Sequence, residues 1–143
     1  MSISGFTEKL KRSCEKRRVS LVEASFGRQT FSMGRAISGG LTVHISNDDP
    51  GFWGVADNVL SRLRESRLPW AIVLLHSSQD AGFVLDSADT ESSINSGSWP
   101  QQDKGGIHWK INAPRALDAA YPFSSVEELL GIVRVLFGAR VRS

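Results

Sequence analysis

Hydrophobic and polar positions along the chain repeat with two different periods, and this pattern predicts the order of helices and strands. The N-terminal segment carries a helical stripe of apolar or small residues, with charged residues on the opposite side. The stripe consists of Ile3, Phe6, Leu10, Ser13 and Cys14. The pattern predicts a surface helix whose underside packs on the rest of the domain.

Three short segments separated by glycine follow this helix. They read VSLVEASF, QTFSMG and LTVHIS. Short apolar segments of this kind, punctuated by glycine, are typical of antiparallel strands joined by turns. The sequence therefore predicts a three-stranded meander.

The stretch NDDPGFWGV at residues 47–55 combines turn residues with two large aromatic side chains. We interpret it as a turn that leads directly into a helix, predicted from the pattern VADNVLSRLRESR. Gly54 would allow a close approach between backbones, and Asp57 would cap the helix. Phe52 and Trp53 would pack where the helix meets the sheet. The alternative is that Trp53 and the following arginines form the rim of a binding cleft.

The second half of the chain predicts a hairpin, a further strand and a final helix. The run WAIVLL has no polar alternation, which is typical of a central strand covered on both faces. GFVLDS follows as its hairpin partner, residues 90–95 predict a helical turn, and IHWKIN alternates as another strand. Ser124 or Ser125 precedes Glu127 and Glu128 with the spacing of a capping box, directly before a continuous apolar stripe.

Together these elements predict one α+β domain over residues 1–143. Its sheet should be mixed or mostly antiparallel, with about five or six strands and with helices at the N-terminus, in the middle and at the C-terminus. A length of 143 residues with 41% hydrophobic residues suffices for one buried core without disulfides or metals. The single cysteine, Cys14, fits a reducing compartment, and no apolar run is long enough to span a bilayer. The sequence therefore predicts a cytoplasmic protein without membrane association.

Basic residues are distributed unevenly, although the net charge is only +2. KLKRSCEKRR near the start and RVLFGARVRS at the end carry much of the excess. If the two ends share one face they form a basic patch that attracts polyanions; the alternative is that both are merely solvated. Nucleic-acid binding needs cations near phosphates and flat side chains near bases. The residues that we expect to supply them are Arg62, Arg64, Arg67, Trp53 and Trp99. For Trp99 the alternative is a buried loop anchor.

A metal-dependent nuclease is the main enzymatic alternative. Many such enzymes hold Mg²⁺ with an Asp on one strand and an acid-x-Lys motif on the next. Here Asp86 ends one predicted strand, and His108, Trp109 and Lys110 lie in the next. Because histidine replaces the second carboxylate, a Mg²⁺ held by Asp86 would have one hard oxygen ligand too few.

Three histidines suggest a second arrangement for catalysis. His44 and His76 lie where predicted strands run into turns, each close to acidic residues, and His108 lies in a third strand. If these strands are neighbours, the imidazoles and carboxylates could form a metal or acid-base site. None of the spacings matches a recognised metal-ligand motif.

Several enzyme classes are excluded because their motifs are absent. The chain contains no phosphate-binding loop, dinucleotide fingerprint, nucleophile elbow or C-x-x-C pair. Three functional classes are left: a polyanion-binding accessory domain, a phosphodiesterase or nuclease, and a protein-interaction module in which exposed aromatic residues meet a partner chain. The sequence makes no prediction of the oligomeric state.

Overall fold

The computed structural model describes residues 3–23, 29–33, 41–49, 52–66, 69–76, 80–97, 99–103, 106–111 and 120–137, with side chains except at residues 3, 4, 41–44, 47–49, 52 and 137. Four helices occur in these ranges: α1 (Ile3–Lys16), α2 (Asp57–Glu65), α3 (Ser87–Asn95) and α4 (Val126–Phe137). The same ranges contain nine strands: β1 (Leu21–Glu23), β2 (Thr30–Met33), β3 (Leu41–Asp49), β4 (Phe52–Ala56), β5 (Trp70–His76), β6 (Ala81–Asp86), β7 (Gln101–Asp103), β8 (Ile107–Ile111) and β9 (Tyr121–Phe123).

The strands pair in a mostly antiparallel arrangement. Their order is β7-β8-β4-β3-β5-β6-β9, and β2 also pairs with β3 and carries β1. Within the described ranges, β3 and β5 form the one parallel pair. The predicted α+β class and mostly antiparallel sheet are confirmed, although the sheet has more strands than expected. The predicted β1-β2-β3 meander and the β5-β6 hairpin are also confirmed.

The described residues of NDDPGFWGV belong to two antiparallel strands, residues 47–49 to β3 and residues 52–55 to β4, rather than to a turn into a helix. β3 ends at Asp49 and β4 begins at Phe52, and these two residues pair with each other. Val55, which the sequence pattern places at the start of the helix, is a buried strand residue paired with Trp109. The helix predicted from VADNVLSRL begins too early in the sequence. A single buried valine fits the pattern of a strand as well as that of a helix.

Two smaller predictions about this stretch are also wrong. The N-cap of α2 is Ala56, without a side-chain cap, and Asp57 is already the first helical residue. The Asp57 carboxylate instead accepts a hydrogen bond from Trp109 Nε1 at 3.1 Å. A Cβ added at Gly54 would meet no described atom within 4 Å, so Gly54 does not mark a close approach between backbones.

Strand β5 separates two hydrophobic clusters that cover the two faces of the sheet. Alternate side chains of the strand enter different clusters because strand residues point to opposite faces. Ala71, Val73 and Leu75 pack in the cluster that includes α1 and α4. Trp70, Ile72 and Leu74 pack in the cluster that includes α2. This arrangement confirms that WAIVLL is a central strand covered on both faces.

The first and last helices lie together on one face of the sheet. The α1 stripe packs against α4 through a shared cluster that includes Phe6, Leu10, Cys14, Val126, Leu129, Leu130 and Val133. The predicted capping box of α4 is confirmed, because Ser125 Oγ accepts a hydrogen bond from Glu128 N at 3.1 Å and Ser124 Oγ donates to the Glu128 carboxylate. No helix in the described part of the chain is long and apolar enough to cross a membrane.

Candidate functional site

The two residues predicted for a magnesium-dependent nuclease lie on strands that are not neighbours. Asp86 ends β6 and Lys110 lies in β8, and β5, β3 and β4 run between them in the sheet. Asp86 caps α3, because its Oδ1 accepts a hydrogen bond from Asp89 N at 2.8 Å. The described residues include no group of three or more His, Cys, Asp or Glu side chains that could hold a metal. The expected two-strand arrangement of acid and lysine is therefore not formed.

The backbones of the three histidines do not converge. β3 and β5 are neighbours, but His44 pairs with Ile72, four residues before His76. Four strand residues correspond to about 13 Å. His108 pairs with Ala56 in the other branch of the sheet. The side chain of His44 lies outside the described part of the structure.

His76 belongs to a small aromatic cluster at the end of β5. Its ring centroid lies 5.1 Å from that of Trp53 and 5.9 Å from that of Phe83. Trp53 and Phe83 also contact each other edge to face, with centroids 6.2 Å apart. This packing gives the half-buried imidazole a structural role.

The two tryptophans predicted to stack on bases are buried. Trp53 and Trp99 are each 2% exposed. Trp53 Nε1 donates to the carbonyl oxygen of Leu75 at 3.0 Å, whereas Trp99 Nε1 has no hydrogen-bond partner within the described ranges. Neither ring presents a face to solvent, so these side chains cannot stack on bases in this structure. Both have a structural role in the core instead. For Trp99 this is the buried anchor considered as the alternative.

The arginines predicted to contact nucleic acid differ in their surroundings. Arg62 is exposed on α2. Arg64 binds Glu91 of α3 with two nitrogens, Nε at 3.1 Å and Nη2 at 2.6 Å, and so links α2 to α3. Arg67 lies outside the described residues. Arg62 and Arg64 are therefore both exposed, and Arg64 is held in the ion pair with Glu91.

A stronger concentration of cations occurs on α1. A crevice of about 270 Å³ lies between α1 and the N-terminus of α4. Lys9, Arg12 and Lys16 line it from α1, and their i, i+3, i+7 spacing places them on one flank of the helix. The opposite wall consists of Ser124, Ser125, Val126 and Glu127, with Asp80 at the start of the β6 region and Ser13 completing the lining.

The exposed surface of α1 is basic beyond the crevice itself. Six cations and two carboxylates are exposed between residues 8 and 18, which is a local net charge of +4. These residues are Lys9, Lys11, Arg12, Lys16, Arg17 and Arg18, with Glu8 and Glu15. The net charge of this helix and the turn after it is therefore larger than the net charge of the whole chain, which is +2.

Arg18, one of these cations, has a strained backbone conformation. Its φ angle is 56°, in the left-handed region. Val19 N donates to Cys14 O at 2.8 Å and Arg18 N donates to Glu15 O at 3.1 Å, which together form a Schellman motif at the end of α1. Glycine is the usual residue at this position because a Cβ is disfavoured there.

Two carboxylates partly neutralise the crevice from within. Ser13 Oγ donates to Glu127 Oε1 at 2.7 Å and lowers the pKa of Glu127, and the nearby charges of Arg17 and Lys16 act in the same direction. Asp80 forms an ion pair with Lys9. The crevice therefore combines cations with internal anions, and Arg12 has no hydrogen bond or ion pair to any described residue.

The sequence identifies KLKRSCEKRR as basic but does not show what faces it. The i, i+3, i+7 spacing of Lys9, Arg12 and Lys16 is the signal that these three cations share one flank. No local pattern links them to Ser124 or Asp80, because those contacts depend on how α1 packs across α4 and the sheet.

No protein-family model matches this chain, and no curated protein or solved structure matches it at a significant level. The function is therefore inferred from the site.

Proposed function

We propose that this chain is a polyanion-binding domain whose ligand is a nucleic acid and whose binding surface is the exposed side of α1 with the crevice beside α4. The observation that carries the proposal is the local charge of +4 on α1, with Lys9, Arg12 and Lys16 aligned along one crevice. Cations aligned in this way neutralise successive phosphates and release condensed counterions, which is the main source of affinity in sequence-independent binding.

The N-terminus of α4 strengthens the attraction for phosphate. Its first turn faces the crevice, and the partial positive charge of a helix N-terminus favours anions. Glu127 in that turn opposes this effect, because the hydrogen bond from the neutral Ser13 hydroxyl leaves its carboxylate charged. The three cations and two carboxylates that line the crevice leave a net charge of +1, which favours an anionic ligand.

The predicted mode of binding is through the phosphate backbone. Trp53 and Trp99 are buried, and Trp109 is half-buried with its Nε1 bonded to Asp57, so none of these three tryptophans is fully exposed for stacking. Contacts to phosphates position a protein on nucleic acid without reading its sequence. We therefore expect little discrimination between sequences. A reducing, cytoplasmic location is proposed with this function, because the single cysteine, Cys14, cannot form an internal disulfide.

A fluorescence-anisotropy titration with labelled duplex DNA, single-stranded DNA and RNA tests the proposal. We expect binding whose log Kd rises linearly with log salt concentration, with similar affinity for unrelated sequences. Adding Mg²⁺ and separating the samples on a denaturing gel should show no cleavage. Salt-independent binding or no binding would contradict the proposal, and cleavage products would favour the nuclease instead.

A second candidate function, protein interaction, is favoured by an apolar groove beside the edge strand β9. The groove has a volume of about 410 Å³ and is lined by Tyr121, Pro122, Glu128, Gly131, Ile132, Val135 and Leu136. Val135 is 85% exposed and Tyr121 is 41% exposed, so two apolar side chains of the same groove face solvent. Association that resists salt and is lost in Val135→Glu would support this candidate over the polyanion-binding one.

A further inference from the structure

We infer that Asp80 limits the affinity of the α1 surface for phosphate by holding Lys9 in an internal ion pair, which a bound polyanion displaces. The inference rests on the function proposed above and concerns how that same site is restrained.

Asp80 lies among the cations that the ligand would meet. Its Oδ2 pairs with Lys9 Nζ, and both residues line the crevice together with Arg12 and Lys16. The pair joins residues 71 positions apart in sequence, from α1 to the segment before β6. An anion at this position occupies Lys9 and lowers the positive potential felt by any phosphate approaching the row.

Asp80 depends on Lys9 for the pairing of its carboxylate. Its Oδ1 is buried and has no hydrogen-bond partner within the described ranges. Because a buried acceptor without a donor is unfavourable, the contact of Lys9 with Oδ2 is what offsets the burial of this carboxylate, and a phosphate that binds Lys9 has to compete with Asp80 for it. A phosphate group would bring more acceptor oxygens to the same lysine and could also contact Arg12.

The other carboxylate of the crevice has a different role. Glu127 Oε1 accepts a hydrogen bond from Ser13, which is 4% exposed and lies on α1. Arg17 Nη1 also donates to Ser13 Oγ at 3.3 Å within the α1 region, and the Ser13–Glu127 bond connects α1 with α4. Glu127 is therefore tied to the helix packing, whereas Asp80 is the anion whose removal should change binding without loosening the two helices.

The test compares two substitutions that raise the net charge equally. Asp80→Asn removes the internal anion, and Glu65→Gln removes an exposed carboxylate on α2, which packs on the opposite face of the sheet from α1. For a labelled oligonucleotide at low salt, we expect Asp80→Asn to tighten Kd by about fivefold or more and to steepen the salt dependence by about one phosphate contact. Glu65→Gln should change Kd by less than about twofold, since its carboxylate lies outside both the crevice and the α1 surface.

A double-substitution cycle with Lys9→Gln identifies the source of the gain. If Asp80 acts by holding Lys9, then Asp80→Asn should give no gain in the Lys9→Gln background. An equal gain from Asp80→Asn and Glu65→Gln, or a gain that persists without Lys9, would overturn the inference while leaving the proposed function standing. Absence of salt-dependent binding in the unmodified chain and in every variant would overturn both. Thermal melting of each variant confirms that Kd is measured on folded protein.

Discussion

The indole of Trp53 donates a hydrogen bond from Nε1 to the carbonyl oxygen of Leu75 at 3.0 Å, so a side chain of β4 reaches β5 across the sheet. Trp99 is equally buried, but its Nε1 has no partner among the described residues. Two buried tryptophans in the same hydrophobic cluster thus differ in one hydrogen bond.

This difference predicts unequal effects of the same substitution. Trp53→Phe removes a bond and leaves a carbonyl oxygen with one partner fewer, whereas Trp99→Phe removes a donor that is already unpaired. Both variants lose packing, but Trp53→Phe should reduce the free energy of unfolding by about 1–2 kcal/mol more than Trp99→Phe. Urea denaturation of both variants measures the difference; equal losses would show that the hydrogen bond contributes nothing net.

Gly82 is required by the close pairing of β5 with β6. A Cβ added there would lie 1.9 Å from the carbonyl oxygen of Leu74, a contact that needs backbone movement. Gly82→Ala should therefore reduce the free energy of unfolding by roughly 2–3 kcal/mol. Gly54→Ala is the matched control, since a methyl group on that strand meets no described atom within 4 Å. A melting temperature for Gly82→Ala as high as that of the control would contradict the close approach.

Arg18 provides a test of strain at the end of α1. Arg18→Gly should stabilise the fold by about 0.5–1 kcal/mol, because glycine adopts the observed φ of 56° without a steric penalty. Arg18→Ala removes the same charge but keeps a Cβ, so it should not share this gain. Both should bind nucleic acid somewhat more weakly than the unmodified chain. If alanine and glycine give the same thermal stability, the left-handed conformation is not strained.

The thiol of Cys14 should be unreactive in the folded protein. Burial raises its pKa to about 11, with Glu15 adding to the shift and Arg17 opposing it. Near neutral pH the thiolate fraction is therefore about 100-fold lower than for an ordinary cysteine, and the thiolate is the reactive form. Alkylation followed by mass spectrometry should show slow labelling in buffer and fast labelling in urea. Rapid labelling of folded protein would contradict the packing of α1 on α4.

The parts of the fold that were predictable from sequence are those with a strong local code. The unbroken run of β5 and the capping box formed by Ser125 and Glu128 each identify their element without knowledge of its neighbours. Strand β4 was missed because most of its pairs join it to β8, more than fifty residues later. The exposure of side chains was harder to predict than the elements. Trp99 lies in a loop-like stretch, and the residues that bury it are distant in sequence.

The candidate site on α1 was predictable only where it depends on local sequence. Basic character near the N-terminus is visible in the sequence, and α1 and α4 do lie together as a shared basic face requires. Residues 138–143 of the C-terminal cluster lie outside the described residues. The pairing of Lys9 with Asp80 depends on tertiary packing, so no periodic pattern in the sequence predicts it.

The measurement that tests the central proposal most directly compares two charge-matched double variants in the oligonucleotide titration. Arg12→Gln with Lys16→Gln removes two cations of the crevice, and Arg62→Gln with Arg134→Gln removes two exposed cations elsewhere. We expect the first pair to weaken binding at least about tenfold and to reduce the salt dependence by about two phosphate contacts, with less than about threefold change for the second. Equal losses would show a general charge effect, and a larger loss from the second pair would place the binding surface away from α1.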